Sequence, residues 1–537
     1  MIKLKKYKFV LSVFTILSLV GCDLDEENPN QLNFDETIAN GFAVGMYQAY
    51  QKVYANEYIV TELRSDNVRS ESRSGDLGLA DTYSIPSSFN DGRAYWVNNY
   101  SVIRNANLIL VMEDELTESA AGKQALGEAY FMRALSHFNL VRAFRRVPYI
   151  DAVISDPKDL LLFDTLNFNN DFNASLQSVY TRIINDFNSS INFLNEVSDG
   201  SVIRNKANLP AAYGFLVKAL LSQPEKDYSG ALAILNSFLH PDSNSFGLSL
   251  VDVDLEDREK GIEEYLDIFQ GDELNEEILF AISYEGGNFN DVVTQDFNID
   301  DQVQGDAQEW SSEMTEQGGG NGFIFTEDLM SLLLINDESN DIVPEPIRGG
   351  DPDILDDDDD VNGLVGTVGN PGLVNYTGTM GRVQERGDFY DTKYRDLSES
   401  SGVDGVVLRY ADILLLFSEA AAAGNDTTDE VAVEMYNRVR NRVGAEPLNV
   451  DGVTFLTQDE LLDERRREFT FENQRLWDLI RFKADDGVEV LRDFSIGLTT
   501  SDTDFNFEIG RQFLPIPSVE IGLTGGVDVT YSQNASY

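Results

Sequence analysis

Apolar positions recur at helical spacing through most of the 537-residue chain. In 95–113, YWVNNYSVIRNANLILVME, residues Trp96, Tyr100, Ile103 and Leu110 fall on one face of a 3.6-residue repeat. The same period carries Leu126, Tyr130, Arg133, His137, Leu140 and Phe144 through 122–144, and Pro148 ends it. Residues 178–194 and 210–223 read as a second helix pair, and 228–239 adds Tyr228, Ala231 and Leu235. Helices resume at 407–422 and at 429–442, the latter closed by Gly444. The stretch 458–483 reads as one helical run with Leu462, Phe469, Leu476 and Ile480 as its buried stripe. Glu464 with Arg467, Glu468 near Glu472, and Asp478 with Arg481 decorate its other side, the outer two pairs at i,i+3 spacing.

These patterns predict a mostly α fold of helix hairpins with small-residue crossings, long loops and a few short strands. Two stretches, LGEAY with Ala134 and Phe138 behind it and YSGALAIL, resemble tetratricopeptide fragments, although no fixed 34-residue period runs through the chain. Residues 284–406 are rich in Gly, Asp and Asn and read as long loops, the setting in which binding usually resides. Near the end, FLPIPSVEI is expected to be extended, because Pro515 and Pro517 remove backbone donors. The predicted organisation is a leader at 1–21, an acidic tether at 22–40, a helical region at 41–240, and a second region at 241–537 that contains the 284–406 loops.

The leader holds Lys3, Lys5, Lys6 and Lys8 and then an apolar run from Phe9 to Val20. That run is too short for a membrane-spanning helix, which needs roughly 20 residues, and it fits a secretory signal peptide. Cys22 is the only cysteine, and Leu19-Val20-Gly21-Cys22 resembles a bacterial lipobox, in which cleavage leaves Cys22 first and acylated. Buried acyl carbons contribute about 0.8 kcal/mol each, so several chains make a stable anchor. Asp23, Asp25, Glu26 and Glu27 follow. They resemble an acidic surface-export signal, and a plain solvated linker remains the alternative. With no disulfides, the exported chain must be held by its core.

Acids outnumber bases 93 to 40, for a formal charge of −53. Such a chain repels phosphate, which argues against nucleic-acid binding, and it favours solubility. The two histidines, His137 inside a helix and His240 before Pro241, read as structural. Neither zinc-ligand spacing nor a nucleophile-elbow motif is present. Paired carboxylates for glycoside hydrolysis cannot be judged by counting among so many acids. In DILDDDDDVNG, Asp358, Asp360, Asn362 and Gly363 fit the start of a calcium loop, but the twelfth position is Gly369 rather than Glu. Bound Ca²⁺ and a solvated acidic loop both stay open, and no cofactor is required.

Several motifs in order resemble the SusD/RagB family of outer-membrane nutrient-binding lipoproteins. They are the lipobox, WVNNYSVIRNANLIL with Trp96, Tyr100 and Asn107, and GEAYFMRALSHFNLVRAFRRVPY with Glu128, Arg133 and Pro148. The second half adds LRYADILLLFSEA with Arg409, Asp412 and Glu419, then YNRVRNR, ERRREFTFENQRLWDLIRF, FLPIPSVEI and YSQNASY. The chain departs from the pattern at Arg145 and Arg146, in the stretched DIVPEPIR of 341–348, and at Ala535-Ser536. The resemblance implies a SusD-like α fold with tetratricopeptide-like helix pairs. It also implies a surface lid on a SusC-like TonB-dependent transporter, capturing oligosaccharides or, in RagB-like members, peptides.

Sugar capture needs flat rings against pyranose C–H groups and polar groups for the hydroxyls. Trp310, in the polar stretch DAQEWSSEM, has no obvious core to join and is the first candidate platform. Trp96, expected to start a helix after SSFNDGRAY, is the second, since some members of the family stack sugar on an aromatic near that point. Phe289 and Tyr376 are further candidates. Arg69, Arg73 and Asn98 could supply hydrogen bonds, while Trp477 reads as core. The expected protein is a non-enzymatic, lipid-anchored binder at the outer membrane. A surface glycosidase and a pure interaction scaffold are the alternatives from other classes.

Overall fold

The computed structural model describes residues 36–70, 75–154, 172–270, 275–283, 404–448, 455–482 and 507–523, Leu491, and five short strand segments between 323 and 390. The chain is mostly helical. Its first helix, α1 (Glu36–Ala55), opens five residues ahead of the expected start. Short α2 (Glu57–Val60), β1 (Val68–Ser70) and α3 (Gly75–Asp81) lead to α4 (Asn90–Leu110), α5 (Glu113–Leu116) and α6 (Ala120–Phe144). Then come α7 (Phe172–Val197), α8 (Leu209–Ser222) and α9 (Tyr228–Ile234), which continues into a π turn at Leu235–Leu239. Capping residues set these starts. The Ser119 side chain accepts from Gly122 N, and the Asn208 side chain accepts from Ala211 N with Pro210 in the first turn.

Successive helices pack on one another: α1 and α6 on α4, α7 on α6, α8 on α7, and α9 on α8. At the α6–α7 crossing the Gly127 backbone meets Leu194 so closely that an added Cβ would lie 2.7 Å from its side chain. This is the small-residue crossing that the pattern suggested. Where four elements meet, Phe131 of α6 contacts the rings of Phe187, Phe215 and Phe280 edge-on, with centroids 5.2–5.8 Å apart. Full burial of such a ring contributes about 1.5–3 kcal/mol.

The second region begins with α10 (Arg258–Gln270), which buries Ile262, Tyr265 and Ile268 and which the sequence pattern did not suggest. Strand β2 (Ile278–Ile282) follows. Then come the short strands β3 (Phe323–Phe325), β4 (Leu334–Asn336), β5 (Ile342–Pro344), β6 (Gly381–Arg382) and β7 (Phe389–Tyr390). Next are β8 (Gly405–Arg409), α11 (Tyr410–Ala422), α12 (Glu430–Arg442), α13 (Gln458–Glu468), α14 (Arg475–Phe482) and α15 (Ser518–Leu523). Three expectations need correction. FLPIPSVEI is extended only as far as Pro517, because Ser518 to Ile521 already belong to α15. Val407 to Arg409 are strand rather than helix, because they pair with β2. The expected single helix over 458–483 is two helices, broken where Phe471 and Asn473 take positive φ.

The charged pairs expected on that segment's outer side do not face solvent either; Glu464, Glu468, Asp478 and Arg481 are buried and Arg467 is half-buried. Arg409 meets Glu277 and Glu468 at 2.7 Å and grips Glu472 with two nitrogens. Arg442 shares Glu277 and Glu468. Arg465 joins Asp412 to Asp478, and Arg481 joins Asp478 to Glu419. Lys218 reaches Asp412 from α8, and Arg475 holds Asp66 bidentately across 409 residues of sequence. Although burial alone would raise them, these cations hold the Asp66, Asp412 and Asp478 carboxyls below the usual carboxylate range. His137, read as structural, is fully buried. Its Nδ1–H donates to the Arg133 carbonyl at 2.9 Å and its Nε2 accepts from Ile150 N at 3.0 Å. That pairing admits only the neutral ring, and burial pushes its pKa down to about 3.

Arg409→Met is expected to leave three buried carboxylates short of a partner and to destabilise the chain by about 3–5 kcal/mol. The urea midpoint reads this, and an unchanged midpoint would mean that the lattice does not hold the fold. For His137, whose folded pKa is depressed, the contribution to stability is complete above about pH 6.5 and falls as pH drops towards about 3. Glu57, raised by burial to about 7, slopes the opposite way as pH rises through that value. Comparing wild type with His137→Gln cancels the Glu57 part. The stability advantage of wild type should shrink by about 1.4 kcal/mol per pH unit below about pH 6.5. A constant difference would contradict the neutral-ring assignment.

Candidate functional site

Strands β2 and β8 pair antiparallel, with Ile278 opposite Arg409 and Ile282 opposite Gly405. They therefore bring together the two ends of the 284–403 segment, in which Phe289, Trp310, Tyr376 and the acidic run of Asp358, Asp360 and Asn362 lie. The pairing is fixed from several sides. Gln51 of α1 donates to Ser283 O at 2.6 Å, Ser283 Oγ donates to Asp404 at 3.0 Å, and Tyr54 OH donates to Val406 O at 3.1 Å. Gly405 is required here because a Cβ would sit 2.2 Å from the Tyr54 ring. Just below, Arg409 ties β8 into the ion lattice. The result is a rigid neck from which a long segment leaves and to which it returns.

A second attachment lies further along. Strand β1 pairs antiparallel with β3, Val68 opposite Phe325 and Ser70 opposite Phe323, and β3 also lies against β7. Arg73 follows β1 by three residues, and Trp310 precedes β3 by 13. The ladder sets Ser70, where the chain leaves β1, opposite Phe323, where it enters β3. Binding surfaces carried by loops on a rigid scaffold follow this plan.

Trp96 is not an exposed platform. It is 4% exposed, edge-on to Phe144 at 4.9 Å and tilted against Tyr100 at 5.1 Å. The reason is the earlier start of α4 at Asn90, which places position 96 inside the helix on the face that packs against α6 rather than at its mouth. Asn98 is half-buried on the same helix, beside exposed Val97. Arg69 lies in β1. Trp477 is core, as read from sequence. Cys22, Arg73, Phe289, Trp310, Tyr376 and the acidic run with Asp358, Asp360 and Asn362 lie outside the described residues. Among the described residues no group of three His, Cys, Asp or Glu is placed to hold a metal, and no helix is long and apolar enough to cross a membrane.

The neck itself was missed from sequence. Its signal was present as the apolar run ILFAI at 278–282 and the run GVVLR at 405–409, but only pairing across some 120 residues gives them meaning.

Two family models match the chain: one described as "SusD family" over residues 362–537, and one described as "Starch-binding associating with outer membrane" over residues 23–221. SusD-like protein P2 of Formosa agariphila is 26% identical over 96% of this chain and 97% of its own. A SusD-like protein of Bacteroides ovatus is 24% identical over 72% of this chain and 64% of its own. Among solved structures, a laminarin-binding SusD-like protein superimposes with a TM-score of 0.61 at 20% identity, covering 93% of this chain and 99% of its own. Surface glycan-binding protein A of Bacteroides fluxus gives 0.60 at 17% identity, covering 94% and 99%. With SusD models matched in both halves, full-length SusD-like relatives and the same helical architecture, the chain belongs to the SusD/RagB family.

Proposed function

We propose that this protein binds oligosaccharides at the cell surface and passes them, chemically intact, to a SusC-like TonB-dependent transporter of the outer membrane. The observation that carries this reading is the neck. A long segment rich in Gly, Asp and Asn, containing Trp310, Phe289 and Tyr376, is fastened at both ends to a rigid helical body by β2–β8 and the Arg409 ion lattice. That is how a loop-borne recognition surface is held steady. The relatives support the ligand class, since one is named for laminarin binding and another for surface glycans. Trp310 serves as the stacking platform, with Arg73 and Asn98 as hydrogen-bonding partners. Lipid on Cys22 anchors the protein and keeps it near its transporter, raising the effective concentration without new contacts. The reading needs no cofactor, and Asp358, Asp360 and Asn362 are where a calcium ion would be sought.

Calorimetry of the mature chain against glycan and peptide pools tests the ligand class. Trp310→Ala should weaken glycan binding by about 1.5–3 kcal/mol, roughly 10- to 100-fold in Kd, with an unaltered unfolding midpoint. Undiminished affinity would discard the platform, binding to peptides alone would discard the ligand class, and release of reducing sugars from the same pools would make the protein an enzyme. Cys22→Ser should abolish incorporation of radiolabelled palmitate and free the protein from the membrane fraction. Equal labelling of wild type and variant would rule out the anchor.

A further inference from the structure

The stretch that leads into α15 is threaded through the body rather than laid on it. From Gln512 to Pro517 six successive residues are buried, and from Phe513 the chain forms neither helix nor strand. Neighbouring side chains of an extended chain point to opposite sides, so the segment is covered on both. Pro515 and Pro517 lack the donors with which it could build regular structure of its own. Its order therefore comes from its seat, and the N-terminal half builds that seat. Leu514 N donates to Ala143 O at 2.7 Å at the end of α6, and Ser518 N donates to Ser87 O at 2.9 Å ahead of α4. Buried Arg64 donates through Nη2 to Arg511 O at 3.0 Å and to Gln512 O at 2.9 Å. Arg511 Nη1 donates in return to Tyr83 O at 2.9 Å.

Two residues of the seat have strained backbones. Tyr83 takes φ 53° and Arg145 φ 62°, and neither is glycine. At Arg145, with ψ −45°, Arg146 N donates to Phe144 O at 2.6 Å, which is the rare, strained form of the three-residue turn. Such geometry persists only where surrounding contacts over-determine it. Here the strap supplies them. Phe507 meets the Tyr83 ring edge-on at 4.8 Å, Arg511 holds the Tyr83 carbonyl, and the Phe513 ring centre lies 4.8 Å from Arg145 Cζ. The Tyr83 hydroxyl donates to Arg64 O, which ties two of the strap's holders to each other.

We propose that residues 507–521 are a latch, a segment that orders only on docking, docks after the helical body has formed, and holds the Tyr83 and Arg145 turns in a conformation they leave when it lifts. The order of events follows from chain separation. Tyr83 and Arg64 lie 428 and 447 residues before Arg511, so the strap has no seat until the intervening helices have assembled it. What the latch closes is the junction of the start of α4 with the end of α6, where Trp96 packs against Phe144. In a protein delivered to the cell surface, that junction stays open until the C-terminus has crossed the membrane. The latch itself does not rest on that reading.

Hydrogen exchange of the mature chain, read by mass spectrometry, tests the latch without any ligand. In the native protein, segments 83–93, 143–149 and 511–518 should exchange as one unit, faster than 278–282 and 405–409 of the neck. In pulse labelling during refolding from urea, the same three segments should gain protection in the last phase, after the neck. Leu514→Ala, which empties the centre of the strap, should speed their exchange by about 30-fold or more and leave the neck unchanged. Strap and neck gaining protection in one phase would overturn the proposal. So would an equal acceleration throughout the variant, because the strap would then be an inseparable part of the core, or no acceleration at 83–93. Should the variant fail to fold, the refolding order of the wild type still decides.

Discussion

The structure depends on a buried lattice of guanidinium and carboxylate groups. Arg409, Arg442, Arg465, Arg475 and Arg481 are all inside, and each holds at least one carboxylate from outside its own element. Isolated, each charge would be prohibitive to bury. Held in pairs and triads by charge-assisted hydrogen bonds, they become directional joints that apolar contacts cannot supply. Apolar packing explains that α6 lies on α7; the lattice explains why β8, α12, α13 and α14 meet in one register.

This lattice also gives the acidic composition a structural side. With 40 bases against 93 acids, cations are the scarce partner. The arginines committed to the interior take carboxylates inside with them, so most of the excess of acid over base is left for the exterior. The interior network and the solubility of the exterior are two sides of one allocation of charge.

Helical periodicity made most of the fold legible, because α4, α6, α7, α8, α11 and α12 each bury a broad apolar face. The reading failed where pairing over long distance overrides local pattern. Val407 to Arg409 look helical beside YADILLLF, yet they belong to β8 because Ile278 to Ile282 wait for them. The i,i+3 pairs of 458–483 look like surface decoration because spacing alone does not report burial. The break at Phe471 and Asn473 has no glycine or proline to announce it. For the candidate site, residue type singled out Trp96, but its burial follows from a helix start that no strong capping residue marks; the position before Asn90 is Phe89.

The neck has an evolutionary consequence. Because β2 and β8 hold the two ends of the intervening segment side by side, most of the entropy of closing that loop is settled by the scaffold, and each doubling of a flexible loop adds only about 0.6 kcal/mol. Segments of quite different length and composition can therefore be exchanged above the same stem while the helical chassis stays unaltered. A lineage with such a stem can exchange one cassette without rebuilding the body beneath it.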